Sequence, residues 1–419
     1  MAPSGPYWHY PGMKRMKVVI IGAGFAGLDA AKALKRSPRI EVVLVDRHPY
    51  QLFSPLLYQV ATGALPEDDI AYPVRSAIPG VTFIRGDVVR IDPSAHRIRL
   101  YDGQEVSYDQ LVIATGSVGT TFGIPGVEEH ALQMKSIAEA RHIKSRLLNT
   151  YEDVQEGRLP REALRVVVVG GGPTGVEVSG AVAELQASLV REYPEIADKA
   201  SVTLVEAGPR LLPSFTEDSS AHAKEELEQL GVVVKLDTAV DRMYERDVHL
   251  KTGEILPAGT VVWAAGVAAP ERWGELGKTG PARRLIVDEF LRLPGVPDVW
   301  VVGDTAAFMP DGEGALPMVA PVAMQMGRHA ARNITALASG KLMEPFRYFD
   351  KGQMATIGRR RAVAETPQGL RLHGTPAWLA WLGLHVAYLA GGRNRVSVLA
   401  DWAWNYLAWS IGPRRAIIE

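Results

Sequence analysis

Residues 17–27 read Lys17-Val18-Val19-Ile20-Ile21-Gly22-Ala23-Gly24-Phe25-Ala26-Gly27, and residues 165–175 read Arg165-Val166-Val167-Val168-Val169-Gly170-Gly171-Gly172-Pro173-Thr174-Gly175. Each begins as a β-branched strand and breaks into a glycine-rich turn. A helical stretch follows, to Leu34 in the first copy and over 176–190 in the second. Each copy then enters a second strand that ends on an acid, 41–45 before Asp46 and 201–205 before Glu206. The residue types have a physical reason. One glycine permits the tight turn, the next lets backbone approach a pyrophosphate, and the third lets helix and strand pack closely. The helix N-terminus meets the phosphates with free N–H groups and the positive end of its dipole.

The match continues outward from these two stretches. In the first copy a strand is expected over 81–91, then a hairpin around Asp102-Gly103, then 111–114 closing on Thr115-Gly116. In the second come 232–236, a hairpin around Thr252-Gly253, and 260–265 closing on Gly266. The expected fold class is therefore α/β, with two Rossmann-like dinucleotide-binding domains, the second inserted in the first. Candidate nucleotide contacts are Gly22, Gly24, Gly27 and Asp46 with its neighbour Arg47, and Gly170, Gly172, Pro173, Thr174, Gly175 and Glu206. Thr115-Gly116 and Ala265-Gly266 form thin backbone lips. Asp46 lies 19 positions past Gly27 and Glu206 lies 31 past Gly175, the excess falling in the charged stretch 191–200. Carboxylates at these strand ends accept from ribose hydroxyls and repel a 2'-phosphate, which favours NADH over NADPH; Arg210 weighs the other way.

Composition narrows the chemistry. The 419 residues are 47% apolar and 22% charged, enough to build cores and too apolar for general disorder. A formal charge of -1 gives no basic field for nucleic acid. Cysteine is absent, which removes disulfides, thiolate metal sites, iron–sulfur clusters and dithiol relays, so electrons would travel on an organic cofactor. No metal site is expected. Residues 1–15 read as a flexible N-terminal extension without a signal-peptide run.

Two dinucleotide sites in one chain point to a flavin and a nicotinamide cofactor. A returning strand, 298–302, runs into Gly303-Asp304 and a helix over 322–337. This resembles the two-dinucleotide-fold flavoprotein reductases, which implies that Asp304 binds the FAD ribityl chain. Further motifs narrow the resemblance: Phe53-Ser54-Pro55-Leu56-Leu57-Tyr58-Gln59-Val60-Ala61-Thr62-Gly63, Gly172-Pro173-Thr174-Gly175-Val176-Glu177, Ala320-Pro321-Val322-Ala323-Met324-Gln325, and Asp350-Lys351-Gly352-Gln353-Met354-Ala355-Thr356-Ile357-Gly358. From residue 16 onward the chain is similar to the type II NADH:quinone oxidoreductases, single-chain NADH dehydrogenases that pump no protons. That resemblance implies FAD contacts at Pro55, Gly303, Asp304 and Ala323, and catalytic roles for Glu177, Gln325 and Lys351. Glu177 would position the nicotinamide or relay a proton, and Lys351 or His385 would donate a proton on the quinone side. Pro321 departs from the family's usual Gln, so the quinone type does not carry over.

The tail differs from the rest. Residues 341–419 hold 11 Lys and Arg against 5 Asp and Glu, and five of the nine tryptophans. The apolar stretch 376–392 falls short of the ~20 residues a span needs. Over 396–411, Ser397, Asp401 and Asn405 form a narrow polar stripe opposite Val398, Leu399, Trp402, Tyr406 and Trp409, with Arg414 and Arg415 beyond. Such amphipathic helices suit an anionic membrane surface, and the same composition fits the interface of a homodimer. The expected organisation is a FAD-binding domain from 16–118 and 285–345, an NADH-binding domain at 119–284, and a C-terminal membrane-association region at 346–419. The expected activity is hydride transfer from NADH to FAD and onward transfer of two electrons to a membrane quinone, by a peripheral protein on the cytoplasmic face of the cell membrane. A soluble reductase of an electron-carrier protein and a flavin-binding redox sensor remain open at this level.

Overall fold

Val18, Val19, Ile20 and Ile21 are buried because their strand, Met16–Ile21, lies in the middle of a sheet. The order of that six-stranded sheet is Arg292–Leu293, Val296–Val301, Gln110–Ile113, Met16–Ile21, Ile40–Asp46, Thr82–Arg85. All neighbours pair parallel except the first two. Parallel strands with both faces covered read as continuous apolar runs, as these do. Strand order reverses at Met16–Ile21, and the glycine-rich turn leaves its carboxyl end, the usual place for a ligand crevice. In the computed structural model, residues 15–310 and 314–407 are described. The expected N-terminal extension up to residue 14, and Trp409, Arg414 and Arg415, lie outside them.

The chain divides into two compact units. The first comprises the chain up to Gln51, Pro73–Ser117 and Ala268–Tyr348. The second comprises Leu52–Tyr72, Val118–Val267 and the chain from Phe349. The second has its own parallel sheet, Leu132–Gln133, Thr260–Trp263, Arg165–Val169, Ser201–Val205, Val232–Lys235. Each unit also carries a three-stranded antiparallel sheet, Val88–Asp92 with Arg97–Leu100 and Glu105–Ser107, and Val240–Tyr244 with Asp247–Leu250 and Ile255–Pro257. The repeat expected from the sequence is thus an α/β architecture of two Rossmann-like units.

Four expectations need correction. The run 81–91 is two strands in two sheets, broken at Gly86-Asp87. Residues 268–284 belong with the first unit: Trp273 lies in its core and donates its indole N–H to Thr115 Oγ1 (2.9 Å), and Arg272 pairs with Asp87 (3.0 Å). Residues 52–72 belong with the second, since the short helix Leu57–Ala61 is wholly buried there. The tail is no separate appendage. Its first element is an unforeseen antiparallel sheet, Gln353–Gly358, Arg361–Glu365 and Arg371–His373, before the helices Gly374–Tyr388 and Gly392–Leu407.

This tail sheet meets the helix Pro173–Glu192 at Gly180, where an added Cβ would overlap the Ile357 carbonyl oxygen. A glycine inside a helix lowers its stability by about 1 kcal/mol relative to alanine. Here it lets a strand lie directly on the helix.

The helix Gly392–Leu407 is turned the other way from expectation. Asn394, Val398 and Trp402 are buried and Asp401 and Asn405 half-buried, while Val396, Leu399 and Trp404 are 68%, 50% and 66% exposed. Buried carbonyls must find donors, and the 59–71 segment has several. Asn394 Nδ2 donates to the carbonyls of Asp68 (2.9 Å), Asp69 (3.0 Å) and Ala71 (3.2 Å), Asn405 Nδ2 to that of Ala64 (2.7 Å), and Trp402 Nε1 to Gln59 Oε1 (2.8 Å). The polar stripe therefore faces the protein.

Candidate functional site

Both glycine-rich turns have the same geometry. Gly22 and Gly170 sit at φ +102° and +111°, a region that side chains avoid. A Cβ on Gly27 would overlap the Gly22 carbonyl oxygen, and one on Gly175 that of Gly170. Gly24 and Gly172 face open space, and no side chain caps either following helix. The two acids repeat as well. Asp46 accepts from the N–H groups of Ala23 (2.6 Å) and His48 (2.7 Å), and Glu206 from those of Gly171 and Gly208 (2.6 Å). Each carboxylate pins its own turn to the strand end and keeps lone pairs for further donors. An open cradle at an uncapped helix N-terminus beside a carboxylate fits FAD in the first unit and NADH in the second. Arg210 is committed to the carbonyls of Phe215 and Pro213 (2.8 Å each), so it offers little to a 2'-phosphate.

In the first unit, Thr115-Gly116 and Gly303-Asp304 are brought together. Thr305 Oγ1 donates to the Gly116 carbonyl (2.9 Å) and lies 3.1 Å from Thr115 Oγ1, and Ser117 donates to Asp304 Oδ2 (2.8 Å). Ala323 lies against Gly303, as the space around that glycine requires. Gln325, two residues on, is half-buried in the helix Ala320–Leu337, which Pro321 enters in its first turn. Arg47 is an exposed neighbour of Asp46.

In the second unit Ala265 lies beside the turn glycine Gly170, and Gly266 is left-handed (φ +75°) against Phe122. The same unit holds a cleft lined by Tyr58, Glu177, Thr356, Trp378, Trp381 and Trp402 among others. Glu177 stands one turn before Gly180, so the strand that Gly180 admits brings Thr356 to it. Burial pushes the Glu177 carboxyl up to about 8, against the N–H groups of Thr356 and Trp381, which favour the ionised form. The acid is thus mostly protonated at neutral pH, in a cleft walled by Tyr58, Trp378, Trp381 and Trp402 and by polar side chains that include Gln59, Glu184 and Asn405.

Lys351 and His385, expected as proton donors on the quinone side, both lie outside the cleft lining. Lys351 is exposed and its ammonium donates to the Tyr388 hydroxyl (3.1 Å), outside the cleft lining. His385 is stacked on Trp381 at 3.9 Å and its Nδ1–H donates to the Trp381 carbonyl (2.7 Å). Burial pulls it down to about 4, so it is neutral and has no proton to give at neutral pH.

Comparison with known proteins fits this geometry. The family model for pyridine nucleotide-disulphide oxidoreductases matches residues 16–327, and that for the NDH2 C-terminal domain matches 351–408. The chain is 36% identical over 418 residues to the type II NADH:quinone oxidoreductase Ndh of Mycobacterium tuberculosis, covering 94% of this chain and 89% of that protein. The chain belongs to the type II NADH:quinone oxidoreductase family. A Staphylococcus aureus member is 32% identical over 359 residues, covering 83% of this chain and 89% of that one. The solved NDH2 from Plasmodium falciparum in complex with NADH has a similar fold, with a TM-score of 0.86 at 21% identity over 96% of this chain and 100% of that one.

Within this family member, sequence reading missed Tyr58, Gln59, Thr356, Trp381 and Trp402 at the cleft and Ser117, Trp273 and Thr305 around the Thr115-Gly116 lip. The cleft had a legible signal in Gly180, a glycine at a helical position that propensity disfavours. The lip contacts join residues between 158 and 190 apart in sequence and left no local trace.

Proposed function

We infer that the chain passes electrons from NADH to a quinone that enters the Glu177 cleft from an anionic membrane surface on the cytoplasmic side. NADH oxidation with a quinone as acceptor is the reaction of the family. Bound FAD supplies the electron chemistry, taking hydride and releasing two electrons. The chain holds FAD through Gly22, Gly24, Gly27, Asp46, Thr115, Gly116, Gly303 and Asp304, and NADH through Gly170, Gly172, Pro173, Thr174, Gly175 and Glu206. Pro55, Ala323, Ala265 and Gly266 are proposed as further cofactor contacts.

The observation that carries the reading is a carboxyl buried beside Tyr58 and three tryptophans, where burial pushes it up to about 8. A quinone takes up two protons with two electrons, and its carbonyl oxygens become basic as the electrons arrive. Glu177, neutral at pH 7 and lined by Tyr58 and three tryptophans, is placed to give one of those protons. The aromatic walls offer flat faces to a ring. On this reading Glu177 serves the proton.

The membrane part rests on the tail helices. Leu379 and Leu384 on one, and Val396, Leu399 and Trp404 on the other, are exposed, with Arg393 and Arg395 at the start of the second. Apolar faces beside arginines suit a headgroup-level position. Among the described residues no helix is long and apolar enough to cross a membrane. Flotation with vesicles containing phosphatidylglycerol tests this: the protein should rise with them, less so with phosphatidylcholine alone. Failure to float, with concentration-dependent self-association through these faces, would assign them to a homodimer instead.

A further inference from the structure

Five of the six tryptophans buried among the described residues invite comparison. Trp263 donates its indole N–H to the Thr120 carbonyl (2.9 Å), Trp273 to Thr115 Oγ1 (2.9 Å), Trp300 to Gln110 Oε1 (2.7 Å) and Trp402 to Gln59 Oε1 (2.8 Å). Trp381 is 1% exposed, and its Nε1 is the exception, a buried donor with no hydrogen-bond partner. Buried indole N–H groups usually find one. The ring is fixed rather than loose: it stacks on His385, meets Tyr58 edge-on at 6.4 Å and lies 6.1 Å from Trp402. The N–H faces the Glu177 carboxyl, short of hydrogen-bond geometry.

We propose that Trp381 is a positioning residue for proton transfer, its unpaired indole N–H held ready for the carboxylate that Glu177 becomes when its proton leaves for the acceptor. This rests on the reading of Glu177 as proton donor. In the transfer, the carboxyl O–H bond breaks and an O–H bond forms on the acceptor's oxygen. The acceptor's electron pair comes from NADH, and Glu177 regains its proton from water. A bare carboxylate at a buried position is strongly disfavoured. Two fixed donors, the N–H groups of Trp381 and Thr356, meet that charge without rearrangement, as preorganised dipoles do at other sites of developing charge. His385 supports the arrangement by stacking, and as a neutral ring it adds no charge. The remaining titratable or charged groups of the cleft are Tyr58, Glu184 and Arg359, and Glu184 is already held by the Arg359 backbone N–H (2.7 Å).

The test uses the flavin-loaded enzyme with NADH and two acceptors, menadione, which must take up protons, and ferricyanide, which takes up electrons only. Trp381→Phe removes the N–H. Site-specific insertion of benzothienylalanine at 381 removes it while keeping the ring's shape, so packing is controlled. In both variants menadione turnover should fall roughly tenfold and its alkaline limb should move up by about one pH unit, because a donor favouring the ionised acid is lost. Ferricyanide reduction should not change. Infrared titration of the carboxyl band, assigned by its disappearance in Glu177→Gln, should show the same upward move without any turnover. Unmoved limbs and band in both variants, or a parallel loss with ferricyanide, would overturn the inference. If Glu177→Gln itself keeps the wild-type alkaline limb, the Glu177 reading falls and this inference with it.

Discussion

Replacing Glu177 by Gln tests the centre of the mechanism. Glutamine keeps the shape and one donor but cannot release a proton. With the wild-type carboxyl at about 8, roughly one tenth is ionised at pH 7 and nine tenths at pH 9. Menadione turnover by the wild type should therefore fall about tenfold per pH unit above 8. Glu177→Gln should be slow at pH 7, on the order of 100-fold below wild type, and flat through that range. Bleaching of the bound flavin by NADH, followed in a stopped flow, should be unaffected.

Stability should move the opposite way. Between its ordinary 4.5 and about 8, the folded state holds a proton that the unfolded chain has lost. Wild-type stability therefore declines as pH rises through that window. The decline is worth on the order of 4 kcal/mol, an upper figure because the side chain keeps some solvent contact. Thermal melts should thus show Glu177→Gln gaining on wild type from pH 5 to 8 and matching it near pH 4. A variant with the wild-type alkaline limb in menadione turnover would refute the proton assignment, and melts that track wild type at every pH would refute the buried acid.

Three further outcomes can be checked. Gly27→Ala should yield protein that does not hold FAD and is colourless. Gly175→Ala should yield yellow protein that dithionite bleaches and NADH does not, because each Cβ overlaps the carbonyl of its own turn. Asp69 is 5% exposed and faces Asp401 and Ser397; burial, then the second carboxyl, pushes it up to about 6, so its docking weakens as pH rises through 4 to 6. Asp69→Asn should slow hydrogen exchange in the helix Gly392–Leu407 at pH 7 and leave it unchanged near pH 4. Leu399→Glu with Trp404→Glu should abolish flotation with anionic vesicles while the melting temperature and ferricyanide reduction stay at wild-type values, since both side chains point outward.

What could be read from the sequence follows the range of the forces involved. Strands such as Arg165–Val169 and Ser201–Val205 coincide with expectation because an apolar run, a glycine turn and a terminal acid are local and mutually consistent. The break at Gly86-Asp87 was missed because periodicity does not say which sheet a strand joins. The orientation of the helix Gly392–Leu407 was inverted because a polar stripe facing water and one facing buried carbonyls have the same spacing. Only the 59–71 segment, more than 300 residues earlier, decides between them. Lys351 and His385 were right in residue type for proton donation. Their positions, one on the surface beside Tyr388 and the other stacked and neutral, depend on packing that a string of letters does not carry.

The inward-facing amides of the helix Gly392–Leu407 bear on the membrane association proposed for this molecule. A segment fastened to the body by Asn394, Trp402 and Asn405 needs no bilayer to fold. On the proposed membrane reading, leaving a leaflet would only re-wet its outer stripe, so detergent-free extraction should return an intact but adhesive particle. Its tendency to clump would track the hydrocarbon it shows to water, and a melting curve would be blind to that stickiness.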